Sequence, residues 1–458
     1  MLMNALALAP RVAVVGGGIA GLSAVWTLRE QARVTLFDAG PSHIGGHANT
    51  LDLTLNGITH GVDTGFLVFN ERTYPGLIEL FQSLGVETAA SDMSFSVQAP
   101  GLLPGENRPL EWCGSDLGAV FAQRANLLRP AFWGMLADIL RFNRLATALA
   151  VTGEATALAE PIAAFLDRHG FGPAFRQGYL LPMIGCIWSC PTAQMLRFPI
   201  GTLIRFCHNH GLLQVSNRPR WFTVRGGSRQ YVRRLLAQLP ATCEVRPATS
   251  VRAVVPLPPG SGAAGVWIHT DRASERFDAV VLACHADQAL ALLQARGGQA
   301  SAAERAVLGA IRYQANRAVL HTDARLLPQR PRAWAAWNYE RSPDLGQEQS
   351  RVCLHYLLNR LQPLPWAQPV LVSLNPVREP QARCVHADIE YAHPVFDAAA
   401  VAAQQRLPDI QGQRGLWFCG AWAGYGFHED GLQSGRRAAQ ALLAHWQPMS
   451  VGATPAAA

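Results

Sequence analysis

Residues 12–38 read VAVVGGGIAGLSAVWTLREQARVTLFD, and this stretch decides the fold of the chain. An apolar strand leads into the glycine triplet Gly16, Gly18 and Gly21, a helix-compatible run follows, and a second strand ends on Asp38. In this pattern the first glycine permits a tight turn, the second lets a pyrophosphate approach the backbone, and the third lets the helix pack closely. The stretch therefore predicts a Rossmann-type βαβ unit that binds a dinucleotide.

The same stretch predicts how the dinucleotide is held. The backbone N–H groups at the helix start, around Ile19 and Ala20, have no partner within the helix and favour a phosphate. Asp38, followed by Ala39, comes about 20 residues after the first glycines, where an acidic side chain suits a ribose hydroxyl. These residues alone leave NAD and FAD as alternatives.

The composition limits the chemistry of the protein. The 458-residue chain has a formal net charge of +7, and it contains no lysine, so the charge comes from arginine. A Schiff base, a lysine general base and a lysine-held water are therefore excluded. We find no nucleic-acid-binding motif, so the excess positive charge fits an anionic membrane surface or an acidic ligand better than a nucleic acid.

The sequence favours a reducing compartment. Nine cysteines are scattered without a disulfide framework, and residues 1–10 lack the basic and apolar regions of a signal peptide. No run of about 18 apolar residues could span a bilayer. We therefore expect a cytoplasmic protein with free thiols, and we leave peripheral contact with the inner face of the membrane open.

The pattern beyond residue 38 predicts two domains, one of them discontinuous. It predicts strands at 50–55, 58–62, 222–225, 243–251, 266–270, 277–283 and 416–420, mostly helices over 74–213, and a last helix that opens at Gly431. The dinucleotide-binding domain takes residues 1–73, 221–290 and 408–447. An α+β substrate-binding domain takes residues 74–220 and 291–407, and residues 448–458 form a loose tail.

The order of the motifs resembles the FAD-dependent amine oxidase and phytoene desaturase superfamily. The matching segments are the fingerprint, 45–46, 63–65, 226–227, the strand ending at Val251, 279–283, Gly420 and Gly431. The resemblance implies an α/β fold, with an FAD-binding domain of the glutathione reductase kind and an inserted substrate-binding domain.

The resemblance also implies a role for individual residues. Val251 would hold the adenine through its backbone, and Gly46 and His47 would line the pyrophosphate. The remaining contacts would be Thr64, Gly65 and Phe66 beside the isoalloxazine edge, Gly420 and Ala421 at the pyrophosphate or ribityl chain, and Gly431 with the N–H of Leu432 facing flavin N1 and O2. Negative charge develops at N1 and O2 of a reduced flavin, and a helix start stabilises it.

Three positions depart from the superfamily pattern. His47 stands where an arginine is usual, and Ala421 stands where an acid is common. In the amine oxidases a lysine holds a water near flavin N5, and this chain has no lysine to place there. The departure argues against ordinary amine oxidation.

Within the superfamily the chain looks most like bacterial flavoproteins found beside cyclopropane-type fatty acyl phospholipid methyltransferases. Its signatures are at residues 46–50, 64–70, 223–228 and 428–431. Relatives of that type include the desaturase of furan fatty acid synthesis, which implies a methylated fatty acyl phospholipid as substrate. A methyltransferase is the protein partner implied, and a homodimer is a further expectation.

Tyr425 and His428 are the catalytic candidates, because the neighbouring Gly420 and Gly431 would place them near the flavin. The alternative is a loop that shapes the cofactor site without transferring a proton. No metal site is predicted, since the pair His208 and His210 has no acidic or cysteine partner at ligand spacing nearby.

Residues 124–145 predict an amphipathic helix that could contact a membrane. Phe132, Trp133, Met135, Leu136, Ile139 and Leu140 would form an immersed face, and Arg124, Arg129, Arg141 and Arg144 would reach lipid phosphates. The alternative is a helix packed on its own core. The apolar segment 179–190 could likewise wall a substrate channel or be core.

The resulting hypothesis is an FAD-dependent desaturase that takes a hydride from an apolar chain at an allylic or diene-forming position. Two alternatives stay open. One is an amine or carotenoid oxidoreductase, and the other is a non-catalytic flavin- or lipid-binding component that serves a methyltransferase.

Overall fold

The computed structural model describes residues 9–40, 43–102, 109–153, 155–188, 191–214, 218–257, 265–344 and 351–446. The described chain divides into two compact units. The first unit takes residues up to 46, 235–309 and those from 403 onward, and the second takes residues 47–234 and 310–402. The predicted tail at 448–458 lies outside the described residues.

The strands are, in chain order, β1 (Arg11–Val15), β2 (Arg33–Phe37), β3 (Thr50–Leu55), β4 (Ile58–Asp63), β5 (Phe69–Asn70), β6 (Thr88–Ser91), β7 (Phe95–Ala99), β8 (Leu110–Cys113), β9 (Trp221–Val224), β10 (Cys243–Arg246), β11 (Val251–Pro256), β12 (Val266–Thr270), β13 (Ser274–Phe277), β14 (Ala279–Leu282), β15 (Tyr313–His321), β16 (Trp337–Glu340), β17 (Cys353–Leu357), β18 (Leu371–Leu374), β19 (Val385–Pro394) and β20 (Leu416–Phe418).

The α-helices are α1 (Ile19–Leu28), α2 (Pro75–Leu84), α3 (Leu117–Val120), α4 (Pro130–Thr152), α5 (Ala155–Ala159), α6 (Ile162–Arg168), α7 (Pro173–Phe175), α8 (Leu181–Trp188), α9 (Thr192–Met195), α10 (Ile200–Asn209), α11 (Arg229–Ala237), α12 (Ala286–Gln294), α13 (Ala302–Leu308), α14 (Leu358–Leu361), α15 (Ala398–Gln405) and α16 (His428–Trp446). Within the described ranges, no helix combines the length and apolar character needed to cross a membrane.

The first unit is built on a parallel sheet of five strands in the order β10-β2-β1-β14-β20. Its central strands are apolar on both faces, since β1 is buried after its first residue and β14 throughout, as parallel strands covered on both sides require. A second, antiparallel sheet consists of β11, β12 and β13. The first unit therefore has the doubly covered sheet expected of a Rossmann-type domain.

Two glycines allow α1 to pack closely on both sides. A Cβ on Gly21 would lie 1.9 Å from the carbonyl oxygen of Gly16, so only glycine fits between the helix and the turn after β1. On the opposite side, a Cβ on Gly435 of α16 would lie 2.0 Å from the carbonyl oxygen of Ala20. Ser23 of α1 also donates a hydrogen bond to the carbonyl oxygen of Leu432 (2.8 Å).

The second unit contains a seven-stranded mixed sheet in the order β19-β15-β18-β17-β16-β7-β8, a three-stranded sheet (β5-β9-β6) and the hairpin β3-β4. The helices from α3 to α10 supply an aromatic core. In that core Phe142 of α4 packs against Phe165, Phe171 and Phe175 at centroid distances of 5.6–6.3 Å.

The structure corrects several predicted elements. Residues 74–213 are mostly helical as predicted, but they also contain β6, β7 and β8, and β7 pairs in parallel with the distant β16. The predicted strand 243–251 is interrupted, since Ala248 has φ +48° and donates its N–H to Gly40. Residues 124–145 form a short 3₁₀ turn, Arg124–Leu128, before α4 begins at Pro130.

We predict that Gly435→Ala sharply lowers the thermal stability of the protein, because the new methyl group would overlap the backbone of α1. Gly134→Ala in α4 is the matched control, since a Cβ there meets nothing within 4 Å and alanine favours a helix by about 1 kcal/mol. Thermal unfolding monitored by circular dichroism measures both. An unchanged midpoint for Gly435→Ala would refute the close packing.

Candidate functional site

The carboxyl end of β1 leads into a cradle of glycines. Gly16 has φ +109°, and a Cβ there would lie 2.7 Å from the carbonyl oxygen of Ala283. Gly18, the residue before α1, has φ −70°, and a Cβ on it would meet no atom within 4 Å. Gly46 lies against it, since a Cβ on Gly46 would be 3.3 Å from the Cα of Gly18. The backbone at Gly18 is therefore open on one side, as a bound pyrophosphate requires.

Asp38 lies beside this cradle at the end of β2. Its two carboxylate oxygens accept hydrogen bonds from the backbone N–H groups of Gly17 and Gly40, both at 2.7 Å. Its own carbonyl oxygen accepts the N–H of Thr249, two residues before Val251. The predicted ribose-binding and adenine-binding residues are thus brought together in the first unit.

The loop after β20 carries the second group of predicted residues of the first unit. A Cβ on Gly420 would lie 2.3 Å from Nε1 of Trp422, so the indole packs directly on the glycine backbone. Gln404, which the sequence analysis did not single out, donates hydrogen bonds to the carbonyl oxygens of Trp422 (2.8 Å) and Gly424 (2.7 Å). Gly431 lies against α1, where its Cβ would be 2.8 Å from Ile19.

The predicted helix start at Gly431 is wrong, since α16 begins three residues earlier, at His428. The reason is Asp430, whose carboxylate accepts the N–H of Phe427 (2.9 Å) and caps the first turn. Gly431 already donates its N–H to the carbonyl of Phe427. Leu432 therefore lies in the second turn, and the unpaired N–H groups of a helix start belong to residues before it.

The catalytic candidates differ in their environments. Tyr425 is half-buried, whereas His428 is 8% exposed, and burial lowers the pKa of His428 to about 3. His428 is therefore neutral at physiological pH and a weak base. Burial has the opposite effect on the neighbouring carboxyl, raising the pKa of Asp430 to about 6 against the lowering effect of the Phe427 N–H.

The second unit holds the remaining predicted residues, His47 and Thr64 to Phe66. The carbonyl oxygen of His47 accepts the N–H of Phe66 (2.7 Å), and the ring of His47 stacks on Tyr391 at 4.8 Å. The Tyr391 hydroxyl lies 2.9 Å from the Thr64 hydroxyl and accepts a hydrogen bond from Asn49 (2.9 Å). Tyr391, on β19, was not predicted, because nothing in the local sequence joins it to residues more than 300 positions away.

Asp63, just before this segment, is a buried carboxylate surrounded by donors. It accepts hydrogen bonds from the hydroxyl of Thr50, from the N–H (2.9 Å) and hydroxyl (2.8 Å) of Ser228, and from the amide of Gln362 (2.7 Å). Burial raises the pKa of Asp63 to about 6, although the hydrogen bonds from Thr50 and Ser228 lower it. At neutral pH the ionised Asp63 carboxylate, at the end of β4, therefore holds the turn at residues 226–228 and Gln362 by hydrogen bonds.

We predict that Asp63→Asn lowers the free energy of unfolding by about 1–3 kcal/mol, because an amide N–H would face the donors that now point at the carboxylate. Asp52→Asn is the matched control in the adjacent strand β3. Asp52 forms an exposed ion pair with Arg229, and such pairs contribute about 0–1 kcal/mol. Urea unfolding of both variants measures the difference, and equal losses would contradict the role of Asp63.

The seven-stranded sheet holds a buried polar chain that the sequence analysis missed. The N–H of Asp323 donates to Nδ1 of His321, whose Nε2 lies 2.6 Å from the Ser373 hydroxyl. That hydroxyl lies 2.6 Å from Nδ1 of His355, and Nε2 of His355 lies 2.9 Å from Glu340. Because Nδ1 of His321 accepts the Asp323 N–H, the ring proton of His321 lies on Nε2 and is donated to the Ser373 hydroxyl. That hydroxyl then donates to Nδ1 of His355, so Nε2 of His355 carries a proton and donates it to Glu340.

This proton assignment bears on metal binding. Glu340, Cys353 and His355 place potential ligand atoms within 4.8 Å of one another. To bind a metal, His355 would need a lone pair on Nε2. In this series of hydrogen bonds, which begins at Asp323, that nitrogen carries a proton. Arg378 also binds the other oxygen of Glu340 (2.7 Å). We therefore interpret the group as a hydrogen-bond network rather than a metal site.

The predicted membrane helix is corrected in part. Phe132 and Met135, assigned to an immersed face, are 0% and 1% exposed and belong to the core of the second unit. Trp133 and Leu140 are exposed, at 49% and 53%. The apolar segment 179–188 packs as core, with Gly185 of α8 against Val352, and residues 189–190 lie outside the described part.

Comparison with known proteins agrees with this geometry. A family model described as an NAD(P)-binding Rossmann-like domain matches residues 14–84. The structure is similar to cyclohexylamine oxidase from Brevibacterium oxydans, with a TM-score of 0.64 at 15% identity. It is also similar to a CLA-producing fatty acid isomerase from P. acnes (TM-score 0.63, 15% identity) and to wild-type putrescine oxidase (TM-score 0.62, 14% identity). Each likeness covers 95% of this chain and 99% of the other.

The chain has the amine oxidase fold. No curated protein matches it in sequence. The amine oxidase fold confirms the predicted α/β class, including the Rossmann-type domain with a second, inserted part. The functional assignment of segments 1–73, 221–290 and 408–447 to one cofactor domain stays a prediction.

Proposed function

We propose that this protein is an FAD-dependent oxidoreductase. The observation that carries the proposal is the glycine cradle of the first unit, where the backbone at Gly18 is open, Gly46 lies against it and Asp38 binds the N–H of Gly17. Phosphate oxygens fit the N–H groups at the start of α1, and a ribose fits the end of β2. The resemblance of the whole motif order to flavoproteins, together with the amine oxidase fold, favours FAD over NAD.

We predict that Gly18→Ala folds normally but loses FAD. Its backbone conformation is open to alanine, and the new methyl group would enter the space beside the backbone where the pyrophosphate would lie. The flavin absorbance per protein measures the loss, and the thermal midpoint of flavin-free protein checks the fold. Gly134→Ala should retain full flavin, whereas full flavin in Gly18→Ala would place the cofactor elsewhere.

We propose, further, that the substrate is the fatty acyl chain of a membrane phospholipid, with a methylated chain as in furan fatty acid synthesis. Three observations support this. The protein has no lysine for the oxygen-activating water of amine oxidases. Its second unit is rich in apolar helices, and a fatty acid isomerase shares its fold. A polyamine would need an acidic channel, which a chain of charge +7 disfavours.

Desaturation removes a hydride and a proton from neighbouring carbons of the acyl chain. When bound, FAD supplies the hydride acceptor. The protein must orient the chain, exclude water and take the proton. Tyr425 and His428 remain the candidates for the proton. His428 is a weak base because burial lowers its pKa, and Tyr425 could take the proton only as a phenolate, so each role needs its own test.

We expect anaerobic mixing with a methylated, unsaturated acyl phospholipid to bleach the flavin absorbance, whereas spermine leaves it unchanged. Tyr425→Phe should slow the bleaching without lowering flavin content. Stopped-flow absorbance measures the rate, and mass spectrometry of the lipid should show the loss of two hydrogens. Bleaching by spermine alone would favour an amine oxidase, and a flavin that no lipid, amine or carotenoid reduces would favour a binding component.

A further inference from the structure

The outward face of α4 is unusually apolar for a helix at a protein surface. Trp133, Leu140 and Val151 are 49%, 53% and 76% exposed. Their spacings of 7 and 11 residues place them on one stripe, which runs for about 27 Å along the helix. Surface helices normally carry charged residues on the side away from the core.

The apolar surface continues beyond the start of α4. Leu117, Leu127 and Leu128 are 79%, 44% and 89% exposed. Trp133 joins them to the stripe, because its indole donates to the carbonyl of Leu127 (3.1 Å) and its ring packs on Phe121 at 5.3 Å. Of the large hydrophobic side chains exposed in the described chain, Ile58 alone lies outside residues 117–151. We call this surface the α4 patch.

The charged groups exposed on α4 and on the 3₁₀ turn before it are positive, whereas Asp116 beside Leu117 is an exposed acid at the edge of the patch. Among the exposed positions of α4, Arg144 is the charged one, and Arg124 is exposed in the preceding turn. The acid of the helix, Asp138, is only partly exposed and pairs with Arg141 (2.9 Å). Arg141 in turn donates to the carbonyl of His169 (3.0 Å) and lies over the ring of Phe171.

A groove borders the carboxyl half of the stripe. The groove is shallow and open to solvent, and the surface that lines it is mainly apolar. Leu140 and Val151 of the α4 patch line it together with Arg144 and Leu213.

We propose that the α4 patch docks on the surface of an anionic lipid bilayer, with its leucines and Trp133 in the acyl boundary and Arg124 and Arg144 at the headgroups. The proposal deepens the proposed function, on which it rests for the identity of the substrate, by naming where the lipid is met. No described helix can span a bilayer, so α4 would lie on the bilayer surface.

The charge pattern favours a bilayer over a second copy of the chain. In a two-fold symmetric dimer the same patch lies on both sides, so arginines would be brought toward arginines with no exposed acid of α4 to pair them. Anionic headgroups supply the opposite charge over the whole surface.

Vesicle sedimentation tests the proposal with flavin-loaded protein. We expect binding to phosphatidylglycerol vesicles, weaker binding to phosphatidylcholine vesicles, and a loss of binding as salt rises. Leu128→Ser combined with Leu140→Ser should reduce binding at least about tenfold, because apolar area no longer leaves water. Ile58→Ser, an exposed residue (48%) outside the patch, is the control and should bind normally.

A second pair of variants separates charge from apolar contact. Arg124→Gln with Arg144→Gln should weaken binding to anionic vesicles only. Arg233→Gln with Arg252→Gln removes the same net charge elsewhere and should have a smaller effect. Equal effects would show attraction by net charge alone and would overturn the docking site.

Two further outcomes would overturn the proposal. One is binding that Leu128→Ser with Leu140→Ser leaves unchanged. The other is a concentration-dependent dimer, measured by light scattering, that these substitutions dissolve. Flavin content and reduction by dispersed lipid should persist in the patch variants, so a failure of docking is distinguishable from a failure of the proposed function.

Discussion

The contact on which the first unit depends is the approach of α1 to backbone on two sides. Gly21 admits the turn after β1, and Gly435 admits the carbonyl of Ala20, each at a distance where a side chain would overlap. The start of α1 is thereby fixed at the carboxyl edge of the parallel sheet. Because N–H groups at a helix start favour anions, the two glycines help to set where the phosphates of the proposed cofactor would lie.

In the second unit, the buried carboxylate of Asp63 connects segments that are distant in sequence. Asp63 draws together β4, the turn at Ser228 and Gln362, which are far apart in sequence. The next residue, Thr64, is held in turn by the backbone of Asn49 and by the hydroxyl of Tyr391. The motifs at 63–65 and 226–228 thus belong together for a physical reason, since one supplies the charge and the other supplies the donors.

The sequence predicts those elements and motifs that depend on residues close together along the chain. The glycine triplet, the apolar strands and the acid at Asp38 act over fewer than 30 positions, and the structure has them in the predicted places. The start of α16 was missed because it depends on a single cap by Asp430. The hydrogen-bond network from His321 to Glu340 depends on the register between strands, which the periodicity of the sequence does not contain. The exposure of Leu128 depends on which surface packs against the core, and periodicity does not give that either.

The packing of Gly435 against α1 also has a consequence for biosynthesis. The helix that carries the glycine fingerprint emerges from the ribosome more than 400 residues before the helix that covers it. Strands β14 and β20, which flank β1 on the same side of the sheet, arrive late as well. During translation the face of α1 that α16 covers therefore stays uncovered until residues 428–446 are made, and uncovered apolar surface of this kind promotes aggregation.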